Sequence, residues 1–154
     1  MVSTLHSTTN PAVEQELNRQ VANWTLLYTK LHNFHWYVKG NHFFTLHAKF
    51  EELYDAAAGY LDEIAERLLA IGGKPVATMK EMLETATLKE AAGSETADQM
   101  VAAVIGDFET LTSELKQAME KAEEAGDQAT SDLLLGIRRE LDKQIWMLNA
   151  YLGK

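Results

Sequence analysis

Apolar side chains recur every three or four residues through most of this 154-residue chain, and glycine or proline interrupts the pattern at a few points. Because one face of a helix returns about every 3.6 residues, the pattern predicts amphipathic helices rather than strands. Four long helices are expected. The first begins at Pro11 behind an Asn10 cap and ends near Gly40, the second starts between Asn41 and Thr45 and ends at Gly72, the third opens at Gly93–Ser94 and closes at Gly126, and the fourth runs from about Asp127 to Leu152.

The longest connection, residues 73–92, separates the second long helix from the third. Within it, Thr78 and Glu81 have the spacing of a capping box, which predicts a short helix to about Glu84. Four amphipathic helices pack most simply as a four-helix bundle, and one long crossover is typical of the ferritin-like arrangement. We therefore predict an all-α, ferritin-like four-helix bundle with a short helix in the crossover. An up-and-down bundle with an elaborated loop is the alternative.

The composition excludes several classes of function. Cysteine is absent, which excludes a disulfide framework, a thiolate zinc site and a thiol nucleophile. The net charge of -9 disfavours attraction to nucleic acid or to an anionic membrane and favours the recruitment of cations. No apolar run is long enough for a membrane span, and the first residues lack the features of a signal peptide. We expect one cytoplasmic domain over residues 1–154, with residues 1–10 as a short tail and no membrane partner.

The second helix carries metal-capable side chains in two pairs, His47 with Glu51 and Asp62 with Glu66. At about 100° per residue, all four fall within one stripe about 100° wide. Along the axis, however, His47 and Asp62 are about 22 Å apart, whereas metal–ligand bonds are about 2 Å long. One helix therefore cannot wrap both pairs around one ion. A second, antiparallel copy across a two-fold axis would place its second pair opposite the first and would create two equivalent sites.

Small residues lie at the centre of that two-fold arrangement. Its midpoint falls between Ala56 and Ala57, within the run Ala56–Gly59. Small side chains let two helices approach closely. The ligand spacing and the small residues therefore agree on where a second copy would cross.

A di-iron centre inside a single bundle is the competing hypothesis for the metal site. Its Glu-x-x-His motif is absent, and all five histidines precede residue 48. His32 and His42 lack the support that the stripe gives to His47, so we expect His32 to pack or hydrogen-bond and His42 to lie at the surface or cap a helix. The remaining nitrogen and oxygen ligands suit iron, manganese or zinc without choosing among them.

Several segments resemble the Dps family of mini-ferritins. They are Leu31–Gly40 (LHNFHWYVKG), Phe43–His47 (FFTLH), Phe50–Tyr54 (FEELY), Asp62–Arg67 (DEIAER), Leu68–Gly73 (LLAIGG) and Asp142–Met147 (DKQIWM). The resemblance covers nearly the whole chain and implies a hollow homo-dodecamer with ferroxidase sites at its two-fold interfaces. By position it assigns His35, His47 and Glu51 to one subunit, and Asp62 and Glu66 to its neighbour. Many relatives have aspartate where this chain has Glu51, whose side chain is longer.

The resemblance also implies the reaction. Such proteins are ferroxidases, oxidoreductases that take Fe(II) to Fe(III), typically with hydrogen peroxide rather than dioxygen, and that store the ferric mineral. Two Fe(II) ions held close together let peroxide take two electrons at once, which avoids release of hydroxyl radical. Trp36, next to His35, resembles the aromatic residue near this centre in relatives, where it could intercept a stray oxidising equivalent. An ordinary packing role in the core is the alternative for Trp36.

Acidic residues cluster around Gly126 at the last turn. Asp127 has the position of a helix cap, which is an ordinary structural role. In relatives the corresponding region lines three-fold pores that admit iron, and by position Glu123, Asp127 and Asp132 are the candidates here. Three copies of each carboxylate would concentrate cations.

Two other functions compete with an iron-storage shell. DNA-compacting relatives often carry a tail rich in lysine or arginine, but the first eighteen residues here contain neither, so we expect no strong DNA binding at physiological salt. A helical interaction module without metal chemistry is the remaining alternative. The ligand stripe argues against the module, so the sequence favours iron oxidation and storage.

Overall fold

The computed structural model describes residues 9–154 and contains five helices, with no strand among those residues. Their order is α1 (Pro11–Tyr37), α2 (Phe43–Ala70), α3 (Met79–Thr85), α4 (Ala97–Glu124) and α5 (Gln128–Tyr151). Four helices are long and α3 is the short helix of the crossover, so the predicted all-α bundle is confirmed. Within the described part of the chain, no helix is both long and apolar enough to cross a lipid bilayer.

The start of α1 follows its sequence signals. The Asn10 side chain accepts a hydrogen bond from the Ala12 backbone N–H at 2.9 Å, and Pro11 occupies the first helical position. An asparagine cap satisfies a backbone donor that the first turn leaves free. Of the tail predicted over residues 1–10, the first eight residues lie outside the described part.

The predicted start of α4 at Gly93–Ser94 was wrong, since the helix begins at Ala97. Thr96 caps it, and Thr96 and Gln99 form a reciprocal capping box. The Glu95 carboxylate accepts hydrogen bonds from the three preceding backbone N–H groups. Those bonds give the segment before Thr96 a non-helical way to satisfy its backbone, so the helix begins only at the stronger cap.

Contacts between side chains fix the directions of the helices. Asn23 of α1 donates to Glu114 of α4 at 2.8 Å. Lys30 lies farther along α1 but pairs at 2.8 Å with Asp107, which comes earlier in α4. The two helices therefore run antiparallel. An up-and-down bundle would make the first and third long helices parallel, so this pair excludes that alternative and fits the ferritin-like crossover.

Asn23 also fixes the crossover against the bundle. This side chain is fully buried, and its carbonyl oxygen accepts from the backbone N–H groups of Thr87 at 2.8 Å and Leu88 at 3.1 Å. The Thr87 hydroxyl donates to Glu114 at 2.7 Å. Burial raises the pKa of Glu114, and the hydrogen bonds from Thr87 and Asn23 oppose that effect. The long connection is thus held by a buried polar network rather than left as a free loop.

The apolar core continues up to the end of the bundle where α1 turns into α2. Phe34 and Phe50 are fully buried, with ring centroids 5.7 Å apart. Burying a side chain of this size stabilises a fold by about 1.5–3 kcal/mol. Phe34 precedes His35 and Phe50 precedes Glu51, so this contact fixes the turns of α1 and α2 that carry candidate ligands.

Candidate metal centre

His35 and His47 lie side by side where α1 ends and α2 begins. Their rings stack with centroids 3.6 Å apart and 14° between the ring planes. Nδ1 of His35 is 2.6 Å from the backbone carbonyl oxygen of His47. Nδ1 of His47 is 2.7 Å from the backbone carbonyl oxygen of His35. Each residue therefore orients the ring of the other.

The two reciprocal hydrogen bonds determine which ring nitrogen remains available. A carbonyl oxygen only accepts hydrogen bonds, so Nδ1 of each histidine must carry the proton that it donates. In the neutral ring, Nε2 then holds the lone pair that binds a metal ion. Backbone carbonyls are typical outer partners of metal-binding histidines, because they fix both the tautomer and the ring orientation. The pair can therefore present two stacked nitrogen ligands.

The turn between α1 and α2 brings the histidines together. Val38 ends α1 in an extended conformation, and Gly40 has a φ of 119°, a backbone conformation that favours glycine. The chain then reverses into α2. The ring of Phe43, at the start of α2, stacks on His47 with centroids 4.9 Å apart. Because of this φ, any residue with a β-carbon at position 40 would strain the turn that aligns the pair.

Glu51 is exposed one helical turn after His47. Its carboxylate accepts a hydrogen bond from the Tyr54 hydroxyl at 3.3 Å. The Tyr54 ring stacks on His32 at 3.7 Å and meets His35 edge-on at 5.3 Å. No part in the metal site was predicted for Tyr54 from the sequence. Its position three residues after Glu51, on the same face of α2, was the available signal.

Asp62 and Glu66 are exposed on the second half of α2. A rise of about 1.5 Å per residue places Asp62 about 22 Å from His47 along the helix axis. Across residues 9–154, no group of three or more His, Cys, Asp or Glu side chains is arranged to hold a metal ion within one chain. A single chain thus pairs the two histidines, carries Glu51 one turn away and leaves the other two carboxylates apart. The site shared between two subunits stays a prediction.

The small residues in the middle of α2 divide between the core and the surface. Ala57 is fully buried, so it packs within its own bundle, whereas Ala58 and Gly59 are exposed. A β-carbon at Gly59 would meet no neighbouring atom within 4 Å. Glycine inside a helix costs about 0.5–1 kcal/mol relative to alanine. The packing of this chain alone does not require glycine there, whereas close approach of a second helix would account for it.

Known proteins match this chain over nearly its whole length. The ferritin-like domain family matches residues 14–154. General stress protein 20U of Bacillus subtilis is 62% identical over 139 residues, covering 90% of this chain and 96% of the relative. DNA protection during starvation protein 2 of Bacillus anthracis is 61% identical over 145 residues, covering 94% of this chain and 99% of the relative. The crystal structure of a Dps protein from Bacillus brevis has a TM-score of 0.90 at 53% identity, covering 94% of this chain and 99% of that chain.

This chain belongs to the Dps family of ferritin-like proteins. Three further aromatic side chains of this Dps-family chain, between residues 32 and 42, have distinct surroundings. His32 Nδ1 lies 2.8 Å from the Tyr28 carbonyl oxygen, which ties His32 to its own helix. The Trp36 side chain is 66% exposed, with its ring centroid 5.2 Å from that of His32. His42 is exposed just before α2 and makes no side-chain cap hydrogen bond.

Asp127 has a structural role at the turn between α4 and α5. Its carboxylate caps α5 by accepting from the Thr130 backbone N–H at 3.1 Å, and it pairs with Arg67 of α2 at 3.0 Å. Partial burial opposes ionisation, but the Thr130 hydrogen bonds and Arg67 outweigh it and hold the pKa of Asp127 below its ordinary value. Partners within the same chain therefore already offset much of the negative charge of Asp127.

Glu123 and Asp132 are exposed beside that turn and line one surface depression. Glu123 accepts a hydrogen bond from the Ser131 hydroxyl at 3.0 Å. Of the three acidic residues that the sequence suggested for a pore admitting iron into this Dps-family protein, these two share an open surface. The pore itself requires further subunits and stays a prediction.

Replacement of Asp127 by alanine should lower the free energy of unfolding by about 1–2 kcal/mol near neutral pH, because α5 loses its cap. A lowered pKa in the folded state gives stabilisation that is present above the ordinary aspartate pKa of about 3.9 and is lost as the pH falls through the folded value. The difference between wild type and Asp127→Ala, measured by urea unfolding, should therefore narrow in acid.

The matched control for that measurement is Asp127→Asn. Asparagine also caps helices but carries no charge to pair with Arg67. At neutral pH, Asp127→Asn should therefore lower the free energy of unfolding by less than Asp127→Ala does. A wild-type advantage over Asp127→Ala that stays constant from neutral pH down to about pH 3 would contradict the lowered pKa.

Proposed function

We propose that this protein is a ferroxidase whose Fe(II)-binding sites lie between two subunits of a cytoplasmic iron-storage shell. His35, His47 and Glu51 would come from one subunit, and Asp62 and Glu66 from its neighbour. The observation that carries the proposal is the His35–His47 pair, in which reciprocal bonds occupy both Nδ1 atoms and leave both Nε2 atoms for metal. Membership of the Dps family supports it.

The exposed face of α2 is the surface on which a neighbour would complete this site. Glu51, Gly59, Asp62 and Glu66 are all exposed along it. A two-fold axis near Ala57 would bring the C-terminal half of one α2, with Asp62 and Glu66, opposite the N-terminal half of the other, with His47 and Glu51. Twelve such chains would form the hollow homo-dodecamer that the family resemblance implies, with a site at each end of every two-fold contact.

Iron is the substrate and the stored cargo in this proposal. Two Fe(II) ions, one hydrogen peroxide molecule and two protons give two Fe(III) ions and two water molecules. Both electrons leave together, which avoids the single-electron step that would release hydroxyl radical. The imidazole ligands suit Fe(II), and the carboxylates favour the more highly charged ferric product. We propose peroxide as the preferred oxidant over dioxygen.

Trp36 is proposed to intercept stray oxidising equivalents. It is adjacent in sequence to His35, its ring lies beside that of His32, and most of its side chain is exposed. An indole in that place can be oxidised before a radical reaches other parts of the protein. If the Trp36→Phe variant gives the same radical yield as wild type during iron oxidation, Trp36 does not have this role.

We propose that Glu123 and Asp132 attract Fe(II) to a three-fold pore. Three copies of these carboxylates at one opening would raise the local cation concentration. Asp127 would attract Fe(II) less strongly than these two residues, because Arg67 neutralises part of its negative charge. Iron uptake that is unaffected by Glu123→Gln combined with Asp132→Asn would reject the role.

DNA protection is the second candidate function, and the name of the Bacillus anthracis relative favours it. The net charge of -9 opposes tight binding to the phosphate backbone. We therefore propose that any protection of DNA comes from removal of Fe(II) and peroxide rather than from strong DNA binding. A stable gel-shifted complex at physiological salt would contradict this.

Replacement of His47 by alanine should lower the rate of peroxide-driven Fe(II) oxidation by at least about 100-fold. It removes one nitrogen ligand and also the ring that helps to hold His35, and outer partners alone are worth about 10- to 100-fold. The measurement is anaerobic Fe(II) addition followed by peroxide, with ferric absorbance as the readout and native mass spectrometry of the shell.

His42→Ala is the matched control, since it removes an exposed histidine just before the same helix. It should oxidise iron at the wild-type rate. Wild-type kinetics in His47→Ala with an intact shell would contradict the proposed site.

A further inference from the structure

An aromatic cluster beside the candidate metal centre holds the Tyr54 ring in one orientation. His32 stacks on it with centroids 3.7 Å apart and 17° between planes. His35 meets it edge-on at 5.3 Å and 90°, and Tyr28 meets it at 5.9 Å and 79°. His32 is itself tied to the Tyr28 carbonyl oxygen at 2.8 Å. Contacts with three aromatic side chains therefore restrict where the Tyr54 hydroxyl can point.

That hydroxyl donates to Glu51 Oε1 at 3.3 Å. Tyr54 follows Glu51 by three residues, so the two side chains share a face of α2. Glu51 is exposed, and an exposed glutamate samples many rotamers that a bound metal ion would have to fix. A hydrogen bond from the restrained Tyr54 hydroxyl reduces the number of Glu51 rotamers before a metal ion binds.

We propose that Tyr54 is a positioning residue that orients the Glu51 carboxylate for metal binding, an inference that rests on the proposed function. Tyr54 engages Oε1 and leaves Oε2 to bind the ion. Restricting the carboxylate in advance lowers the entropy lost on binding, which is the general advantage of preorganised ligands. The Tyr54 ring also meets the His35 ring edge-on, so this one side chain contacts two of the proposed ligands.

The test is anaerobic Co(II) binding to the assembled protein, followed by the visible absorption of the bound ion. Tyr54→Phe keeps the ring and deletes only the hydroxyl, so the aromatic cluster should survive. Its apparent Kd for Co(II) should rise by about threefold to tenfold, the range for loss of one ordinary hydrogen bond, because water competes with the Tyr54 hydroxyl for the exposed Glu51 carboxylate. Tyr37→Phe, the same deletion at an exposed tyrosine at the end of α1, should bind Co(II) as wild type does.

A double-mutant cycle separates positioning from packing. In a Glu51→Asp background the shorter carboxylate draws back from Tyr54, so Tyr54→Phe should then change the Kd little. A wild-type Kd in Tyr54→Phe would overturn the inference. An equal weakening in the wild-type and Glu51→Asp backgrounds would also overturn it, because the hydroxyl would then act through something other than the Glu51 carboxylate.

Wild-type protein and His47→Ala distinguish this inference from the proposed function. If wild type binds Co(II) at a site that His47→Ala removes, while Tyr54→Phe has no effect, only the positioning role fails. If wild type shows no such site, the proposed function and the positioning role fail together.

Discussion

Two reciprocal hydrogen bonds, each from the Nδ1 of one histidine to the backbone carbonyl of the other, are the interaction on which the candidate metal centre depends. They fix the tautomers and ring orientations of His35 and His47. They form only if the end of α1 lies beside the start of α2, with His35 next to His47. The turn at Gly40 and the buried contact between Phe34 and Phe50 provide that arrangement. The residues that shape the turn between α1 and α2 therefore also position two of the candidate ligands.

Helix length imposes the second constraint. A ligand pair at each end of the outer face of α2 is separated by about 22 Å, so no rearrangement within one straight helix can unite them around one ion. The exposed Gly59 between the pairs is unexplained by packing within the chain. Both observations are explained if a second copy crosses α2 near its middle. Assembly would then form both the iron-oxidising site and the hollow shell.

The sequence was a good guide to features set by local chemistry. Helix periodicity, the Asn10 cap and the single crossover were predicted, because each depends on neighbouring residues. The start of α4 was misplaced because Gly93 looked like a boundary, although the capping box of Thr96 and Gln99 was the stronger signal. Partners distant in sequence were not predicted. Arg67 lies 60 residues from Asp127, and Asn23 lies 91 residues from Glu114, so only the packed bundle brings these pairs together.

Co-assembly of two inactive variants tests the shared site most directly. Equimolar His47→Ala and Asp62→Ala/Glu66→Ala chains are dissociated and reassembled, and mixing is verified by native mass spectrometry. If the site lies between two subunits, mixed shells should recover about a quarter of the wild-type peroxide-driven rate of Fe(II) oxidation. Half of the two-fold pairs are then mixed, and each mixed pair has one intact site of two. Mixed shells no more active than either parent would contradict the shared site, since a site within one chain would stay broken in every subunit.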